Sequence, residues 1–427
     1  MTEETNKKEE QDLYLQAALK AGQIALANGS ETAGCDKIMN NILSQSGEED
    51  YDTSVVSTSI FVRLGQKVGM ITIKKWGTDL NKLCKASDVS RNLSAGKITI
   101  REASEQLNSI DQTRLYSFFV LMIGYVSLIT AMAFLNNGTV PDCICAAFCG
   151  VVMALADAFF SRIQLHSFAV MMLKGLIVMI CAAVAAVILK GRVNADVIVI
   201  ASFIPLLPGL AMTNSVRDTL QGDYVSGASR LMEATVRIMA LILGVLIGMV
   251  AMCMIPACML ALMDPADPLV LDGTVKYVAY GIAAFFFSIG FSIIYEVPIR
   301  MALVGSVAGC LGKLCFIYLV DQENYSSVLA TFFAAALISI LAQIFAKCMK
   351  APTIPFLISG IMVLVPGSSL YYSIFRVVFK EYREGAISAL NAVLVAGAIA
   401  VAIFLVDTVA QMIGRAAGNR AGKKKQA

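Results

Sequence analysis

The chain has 427 residues, of which 57% are hydrophobic and only 15% charged, with a formal net charge of +3. A soluble protein carries about 25% charged residues. Here the apolar residues gather from Leu115 onward into runs of roughly 18–26, enough to cross a hydrocarbon core of about 30 Å. A wholly soluble protein is excluded, and so slight a net charge, with no basic stripe, excludes a nucleic-acid partner.

Residues 1–114 differ in kind from the rest and read as a small soluble α+β domain. The opening "MTEETNKKEEQD" is polar and charged, so no signal peptide is expected. Leu13, Ala17, Ala21, Ile24 and Ala25 keep a helical spacing over 11–28, and Gly29 stops the run. Ser30 is placed to cap the next helix, with Glu31 in its first turn near the positive helix end. That helix should bury Ile38, Ile42 and Leu43. The stretch 53–76 is rich in Val, Ile and Thr and reads as two strands joined at Gly65-Gln66-Lys67. A helix over 79–95 ends at Gly96, and Thr99 with Glu102 forms a capping box for a short helix ending near Ile110. This head has no histidine, no cysteine beside a base and no glycine-rich phosphate loop. Glu31, Asp50 and Asp52 read as surface carboxylates. A regulatory or structural role is favoured over a hydrolytic one.

Ten apolar segments follow, at 115–135, 140–160, 168–189, 196–213, 236–263, 275–295, 301–320, 325–346, 354–373 and 388–413. An even number of spans puts both termini on one side. The connections on that side carry Arg162, Arg217, Arg230, Arg237, Arg300, Lys347, Lys350 and the basic tail 415–427. The opposite connections carry Lys190, Arg192, Lys276, Arg376, Lys380 and Arg383 diluted by Asp264, Asp267, Asp272, Asp321 and Glu323. The positive-inside rule then sets head and tail in the cytoplasm, with the chain multi-pass in the cytoplasmic membrane. The eleven cysteines lie mostly inside apolar runs (Cys143, Cys145, Cys149, Cys181, Cys253, Cys258, Cys310, Cys315). With no CxxC and one histidine, no metal, cofactor or disulfide framework is expected.

The stretch "LLPGLAMTNSVRDTLQGDYVSGASRLMEA" (206–234) overlays "LVPGSSLYYSIFRVVFKEYREGAISALNA" (364–392) without a gap. Pro208 falls on Pro366, Gly209 on Gly367, Ser215 on Ser373 and Gly227 on Gly385, and Asp223 falls on the acidic Glu381. Val140-Pro141 against Val297-Pro298 keeps nearly the same offset. Two units result, 115–263 and 264–414, with five spans each. An odd number of spans makes the second copy enter from the opposite side. The expected architecture is therefore all-α, with about ten transmembrane helices in two inverted five-helix repeats, as in many secondary transporters. Duplicated scaffolds also occur in channels, so a passive facilitator for a small organic acid is the alternative to a carrier.

Pro205 and Pro208 lack amide donors and Gly209 is free to leave helical geometry, so the fourth span should break. Freed backbone groups cannot face lipid; they are buried in protein or line a wet cavity, where half-helix ends suit a zwitterionic or hydroxylated solute. A proline kink satisfied by neighbouring helices is the competing reading. Behind the break, Asn214, Arg217, Asp218 and Gln221 share one helical face before Gly222-Asp223-Tyr224 turns the chain. The candidate solute contacts are Pro205, Pro208, Gly209, Asn214, Arg217, Asp218, Asp223 and Tyr224, with Pro366, Gly367, Tyr371 and Arg376 from the second copy. Arg217 and Asp218 also fit the role of interfacial charges. Ionisable residues isolated within spans are Asp157, Lys174, Lys313 and Asp407. Such groups are expensive in lipid and pair or face an aqueous path; Asp157 and Asp218 are the candidates for proton coupling. No Walker motif is present, so ATP is not the expected driver.

The stretches "IALANGSETAGCDKIMNNIL", "TDLNKLCKASDVSRNLSAGKITIREASEQLNSI", "PLLPGLAMTNSVRDTLQGDYVSGASRLMEA" and "APTIPFLISGIMVLVPGSSLYYSIFR" together resemble the threonine/serine exporter family over nearly the whole chain. The resemblance implies a fused form of two five-span units behind a cytoplasmic head. It implies export of threonine, serine or related small solutes driven by the ion gradient, with membrane lipid and protons as partners and a homo-oligomer left open. Pro205, Pro208, Gly209, Arg217, Asp218, Gly222, Asp223, Tyr224, Gly227 and Arg230 match the first family motif, and Pro366, Gly367 and Tyr371 the second. Ala33-Gly34 stand where family members commonly carry an arginine after G-x-E-T, which weakens a separate activity of the head.

Overall fold

The structure, a computed structural model, describes residues 2–426 apart from 75, 111–113, 164, 190–191, 256–267 and 379. The side chains of residues 2–8, 253, 374, 378 and 414–426 lie outside that description. Lys190, Cys258, Asp264, Asp267, the end of the fifth expected span and the charges of the basic tail therefore fall outside it.

In the head, α1 (Thr2–Ala27) and α2 (Thr32–Leu43) are separated at Gly29, whose φ of +98° is a conformation L side chains rarely adopt. Glu31, not Ser30, is the N-cap residue of α2, and its side chain makes no capping bond. The Ser30 hydroxyl instead donates to the Glu31 carbonyl at 3.1 Å. The expected hairpin is a three-stranded antiparallel sheet: β1 (Tyr51–Val56), β2 (Ser59–Leu64) and β3 (Lys67–Thr72), in that order. Its first turn, at Ser57-Thr58, carries neither glycine nor proline and so gives no sequence signal. On β2 the alternation is strict: Ile60, Val62 and Leu64 are buried against the helices, while Phe61 and Arg63 face out. Asp79 caps α3 (Leu80–Ser94) by accepting from the Lys82 amide at 3.1 Å. The Thr99–Glu102 capping box starts α4 (Ile100–Ile110), with the Thr99 amide donating to Glu102 at 2.7 Å and the Glu102 amide to the Thr99 hydroxyl at 3.3 Å.

Among the described residues, eight helices are long and apolar enough to cross a membrane, and two bent pairs raise the total to ten. The chain is a multi-pass, mainly helical membrane protein. The unbroken spans are α5 (Phe118–Leu135), α6 (Val140–Phe160), α7 (Ser167–Leu189), α10 (Tyr224–Cys253), α11 (Gly273–Ile294), α12 (Ile299–Asp321), α13 (Ser327–Met349) and α16 (Tyr382–Gln426). The first bent pair is α8 (Ala195–Phe203), a tight turn at Ile204–Leu206, and α9 (Gly209–Leu220) at 55°. The second is α14 (Ile354–Ile361), a turn at Met362–Leu364, and α15 (Gly367–Val378) at 47°. α10 and α16 start well before their apolar runs. At α10 the reason is plain: Asp223 accepts from the Ser226 amide at 3.0 Å and caps a polar first stretch, steadied by Glu233–Arg237 at 2.5 Å.

Interhelical bonds fix which way each span runs. Leu80, Leu115 and Tyr116 from the head side bond Tyr295, Glu296 and Val297, after α11, at 3.0, 3.0 and 2.7 Å. At the far end the Leu269 amide donates to Asn137 at 2.8 Å, and Lys276 pairs with Asp321 at 2.5 Å. The α8–α9 pair therefore runs toward the head, and the α14–α15 pair runs away from it. Within the bundle, α7 and α10 approach backbone to backbone. A Cβ on Gly175 would overlap the Leu241 carbonyl, and one on Gly244 the Met172 carbonyl. Gly244→Val should therefore lower stability by about 1–3 kcal/mol, read as an earlier thermal transition of the purified protein, whereas Gly397→Val, in open space, should leave it unchanged.

Asp79 and Asp36 are two of the docked head's awkward carboxyls. Asp79 is pushed up to about 6 by burial, with the negative charge of Glu296 adding to it. Asp36 is likewise pushed up to about 6, by burial first, with Asp223 and Asp52 adding and a Thr53 hydrogen bond opposing. A raised carboxyl means the folded, docked state holds its proton more tightly. That stabilisation is complete below the ordinary carboxylate range and is lost as pH rises through about 6. Protease resistance of the head should accordingly be greater at pH 5 than at pH 7.5, and the Asp36→Asn, Asp79→Asn double variant should narrow the difference.

Candidate functional site

The polar face of α9 is buried, and burying a charge is costly unless it is paired and hydrogen-bonded. Arg217 meets that requirement from two directions. One guanidinium nitrogen pairs with Glu31 of the head, and another reaches the Asp407 carboxylate of α16 at 2.6 Å. Gln343 of α13 donates to the other Asp407 oxygen at 2.6 Å. Asp218, fully buried, faces Arg230 of α10 at 3.0 Å. Its other oxygen accepts from both the amide and the hydroxyl of Thr32, at 3.1 and 3.0 Å. Arg230 also donates to the Ser30 carbonyl at 2.9 Å, and Asn214 to the Gly29 carbonyl at 2.9 Å.

The result is a closed cluster of two guanidiniums and three carboxylates into which the head inserts its Gly29-Ser30-Glu31-Thr32 corner. Gly29 is needed there on two counts: its positive φ, and a Cβ that would sit 3.3 Å from Leu210. Burial raises the Glu31 carboxyl above its ordinary value, with the Asp407 and Asp218 charges adding and the Arg217 and Arg230 charges opposing. Glu31 is thus no surface carboxylate, and Arg217 and Asp218 are not solvated interfacial charges.

The two breaks meet. Residues 201–210 and 354–364 are buried throughout. A Cβ on Gly209 would overlap Met362, and one on Gly367 would press on Ile204. Met362 is to Ile204 as Gly367 is to Gly209 in the alignment of the two motifs, so these contacts are one contact made twice. The following turns repeat as well: Gly227 packs on the Ser215 carbonyl and Gly385 on the Ser373 carbonyl. Where the first turn pairs Asp218 with Arg230, the second bonds Arg376 to the Ser388 hydroxyl at 3.0 Å. Short turns satisfy part of the freed backbone, with the Gly209 amide bonding Leu207 and the Gly367 amide bonding Val365, both at 2.8 Å.

Two family models cover the chain. Residues 16–252 match "Putative threonine/serine exporter" and residues 280–409 match "Threonine/Serine exporter, ThrE". The chain belongs to the threonine/serine exporter family. A "Probable threonine/serine exporter" of Mycobacterium tuberculosis is 20% identical over 88% of this chain and 72% of its own length. The "Threonine/serine exporter" of Corynebacterium glutamicum is 21% identical over 93% of this chain and 82% of its own length. No solved structure matches.

Against this exporter-family background, the residues singled out from sequence divide into three places. Asn214, Arg217 and Asp218 join the cluster at the head end. Pro205, Pro208, Gly209, Pro366 and Gly367 make the central break. Tyr371 and Arg376 lie toward the far end, where the Tyr371 hydroxyl donates to Asp196 of α8 at 3.0 Å and Arg376 stacks over the Tyr372 ring at 5.8 Å. Asp223 is occupied as a helix cap, and Tyr224 is 70% exposed; neither joins the cluster. Asp157 stands apart, paired with Lys174 and the Tyr125 hydroxyl beside a cavity of about 350 Å³ that Arg114, Ser161 and Glu296 also line. Lys313 lies over the Phe316 ring at 4.9 Å.

Sequence reasoning did not place Glu31, Thr32, Gln343 or Asp196 in the site. The Gly-Ser-Glu-Thr stretch was visible as a family motif, but nothing local showed that it reaches the membrane helices. Removing one partner of a buried ion pair costs about 3–5 kcal/mol. Arg217→Gln, which strands both Glu31 and Asp407, should lower the thermal transition more than Asp50→Asn, whose pair with Arg63 is exposed and screened by solvent.

Proposed function

We propose that this chain is a secondary transporter exporting threonine, serine or closely similar small polar solutes across the cytoplasmic membrane, with head and tail in the cytoplasm. The observation that carries the reading is the reciprocal contact of the two breaks, supported by the family and by the printed names of the relatives. Residues 115–263 and 264–414 form two inverted repeats behind the soluble head of residues 1–114. Their two bent pairs run in opposite directions and pack on each other through equivalent residues, as a two-fold relation in the membrane plane requires. Two packings related in this way have similar energies, so the bundle can open to one side and then to the other.

The solute path follows the bent pairs. At the head end Arg217 receives the solute carboxylate, and Asp218 its ammonium, with Asn214 beside them. The break at Pro205, Pro208, Gly209, Pro366 and Gly367 is the central station and hinge. Release passes Tyr371 and Arg376. Asp223 and Tyr224 shape the turn into α10 and make no solute contact. Protons drive export: Asp218 binds ammonium or proton in turn, and Asp157 is the second coupling carboxylate.

Cells lacking other exporters and fed threonine-containing dipeptide should release more threonine when this chain is expressed, and an uncoupler should abolish release against a gradient. Equal release with and without the chain would refute the substrate; uphill release that survives the uncoupler would refute proton coupling. Asp218→Asn weakens a charge-assisted contact, a loss of about 1.5–3 kcal/mol, and should cut efflux about ten- to a hundredfold per molecule of protein recovered in the membrane. A passive pore would instead never carry threonine beyond its gradient.

A further inference from the structure

The contacts of the head corner with α9 use a particular set of groups. A carboxylate, that of Glu31, goes to Arg217. An N–H and a β-hydroxyl, both of Thr32, converge on a single oxygen of Asp218 at 3.1 and 3.0 Å. Free threonine and serine carry the same three groups: a carboxylate, a nitrogen donor, and a hydroxyl on the carbon next to the one bearing nitrogen. The nitrogen and hydroxyl of Thr32 keep the two-carbon separation they have in the free amino acid. The carboxylate comes instead from the neighbouring side chain.

We propose that Glu31-Thr32 is a built-in surrogate of the solute, which occupies the inner binding station and competes with β-hydroxy α-amino acids for it. The proposal rests on the solute station read above at Arg217 and Asp218. Asp218 is fully buried beneath the corner, so no solute reaches it until the corner leaves. Arg230, paired with Asp218 and hydrogen-bonded to the Ser30 carbonyl, holds the corner over the site. Departure of Glu31 also frees one side of Arg217, whose other partner is Asp407 of α16. Solute binding thereby releases the head and loosens the tie between α9 and α16 in one event.

Selectivity follows from the same contacts. A displacing solute must satisfy the Asp218 oxygen that Thr32 leaves. Threonine and serine can do so through both ammonium and hydroxyl; valine, of nearly the same shape, has no hydroxyl to offer. A site built to hydrogen-bond a hydroxyl rejects the analogue lacking it, because its own polar group is left unpaired.

The test uses the full-length protein reconstituted in vesicles with the head side facing the added solute. Where a binding-competent state is only partly populated, apparent affinity falls by that fraction. Thr32→Val, which preserves shape and removes the hydroxyl, should weaken the surrogate and lower the KM for threonine about three- to tenfold, with no loss of maximal rate. Thr32→Ser should behave as the unaltered protein. An unchanged or raised KM in Thr32→Val would overturn the proposal while leaving the transport reading intact.

A second readout needs no transport. The Ser57 hydroxyl of the head lies 2.9 Å from that of Ser229 on α10, so a Ser57→Cys, Ser229→Cys pair should crosslink while the head is docked. Threonine should slow that crosslinking, followed by mass spectrometry of the joined peptides, and valine should not. Equal rates with the two solutes would overturn the proposal. Failure of the unaltered protein to carry threonine at all would overturn it together with the reading beneath it.

Discussion

Arg217 is a guanidinium taken out of water and held between a carboxylate of the head and a carboxylate of the last helix, and most of the architecture is arranged around that burden. Ion pairs in such surroundings gain Coulomb energy but pay a desolvation penalty of several kcal/mol per ion, so the pair by itself is a poor source of stability. What it supplies is registry. α9 cannot slide or rotate without stranding Glu31, Asp407 or both, and α16 is held in turn by Gln343 from α13. The second pair, Asp218 with Arg230, ties α9 to α10 in the same way. The head is therefore joined to the membrane helices through their charges. It is not merely tethered by the link to α5.

The centre and the ends of the bundle obey different constraints. At the centre the breaks are matched: glycine against Met362 on one side, glycine against Ile204 on the other, with two similar turns behind them. Apolar contacts of this kind are short-ranged and can be exchanged for an equivalent set at small net cost. At the ends the match fails. The head end holds the five charged groups, whereas the far end holds the Tyr371–Asp196 hydrogen bond and Arg376 against a serine. In the proposed cycle this asymmetry gives direction to an otherwise balanced pair of states, because opening around α9 at the head end must separate ion pairs and opening around α15 at the far end need not.

The long apolar spans and both breaks were legible in the sequence because hydrophobic length, proline and glycine act locally. The capping box at Thr99–Glu102 and the glycine stop at Gly29 were legible for the same reason. The third strand was missed because the Ser57-Thr58 turn has no punctuating residue, and the early start of α10 because its first turns are polar and look like a loop. The site was only half legible. Arg217, Asp218 and Asn214 announce themselves by their spacing on one face of a helix in an apolar region. Glu31 does not: a carboxylate at a helix start is unremarkable until a segment nearly two hundred residues on supplies its partner. Asp407 stood out as a charge within a span, but its role depends on the packing of α16 against α9 and α13, which no local pattern encodes.

The charges of the cluster also bear on what it can hold. Arg217 and Arg230 against Asp218 and Asp407 make a neutral set, and a zwitterionic amino acid entering that set adds no net charge. Glu31, entering instead, adds one negative charge to a dry site, and burial duly pushes its carboxyl upward. The docked corner is thus the less comfortable occupant electrostatically, although it is covalently attached and always at hand. A surrogate with those properties holds the site when solute is scarce and yields when a neutral competitor offers the same hydrogen bonds. A head carrying glutamine in place of Glu31 would lose the contact to Arg217 and the misfit charge together, so the two effects oppose each other there. Thr32 carries no charge, and removing its hydroxyl changes only the hydrogen bond to Asp218, which makes position 32 the cleaner measure of how far the corner imitates the solute.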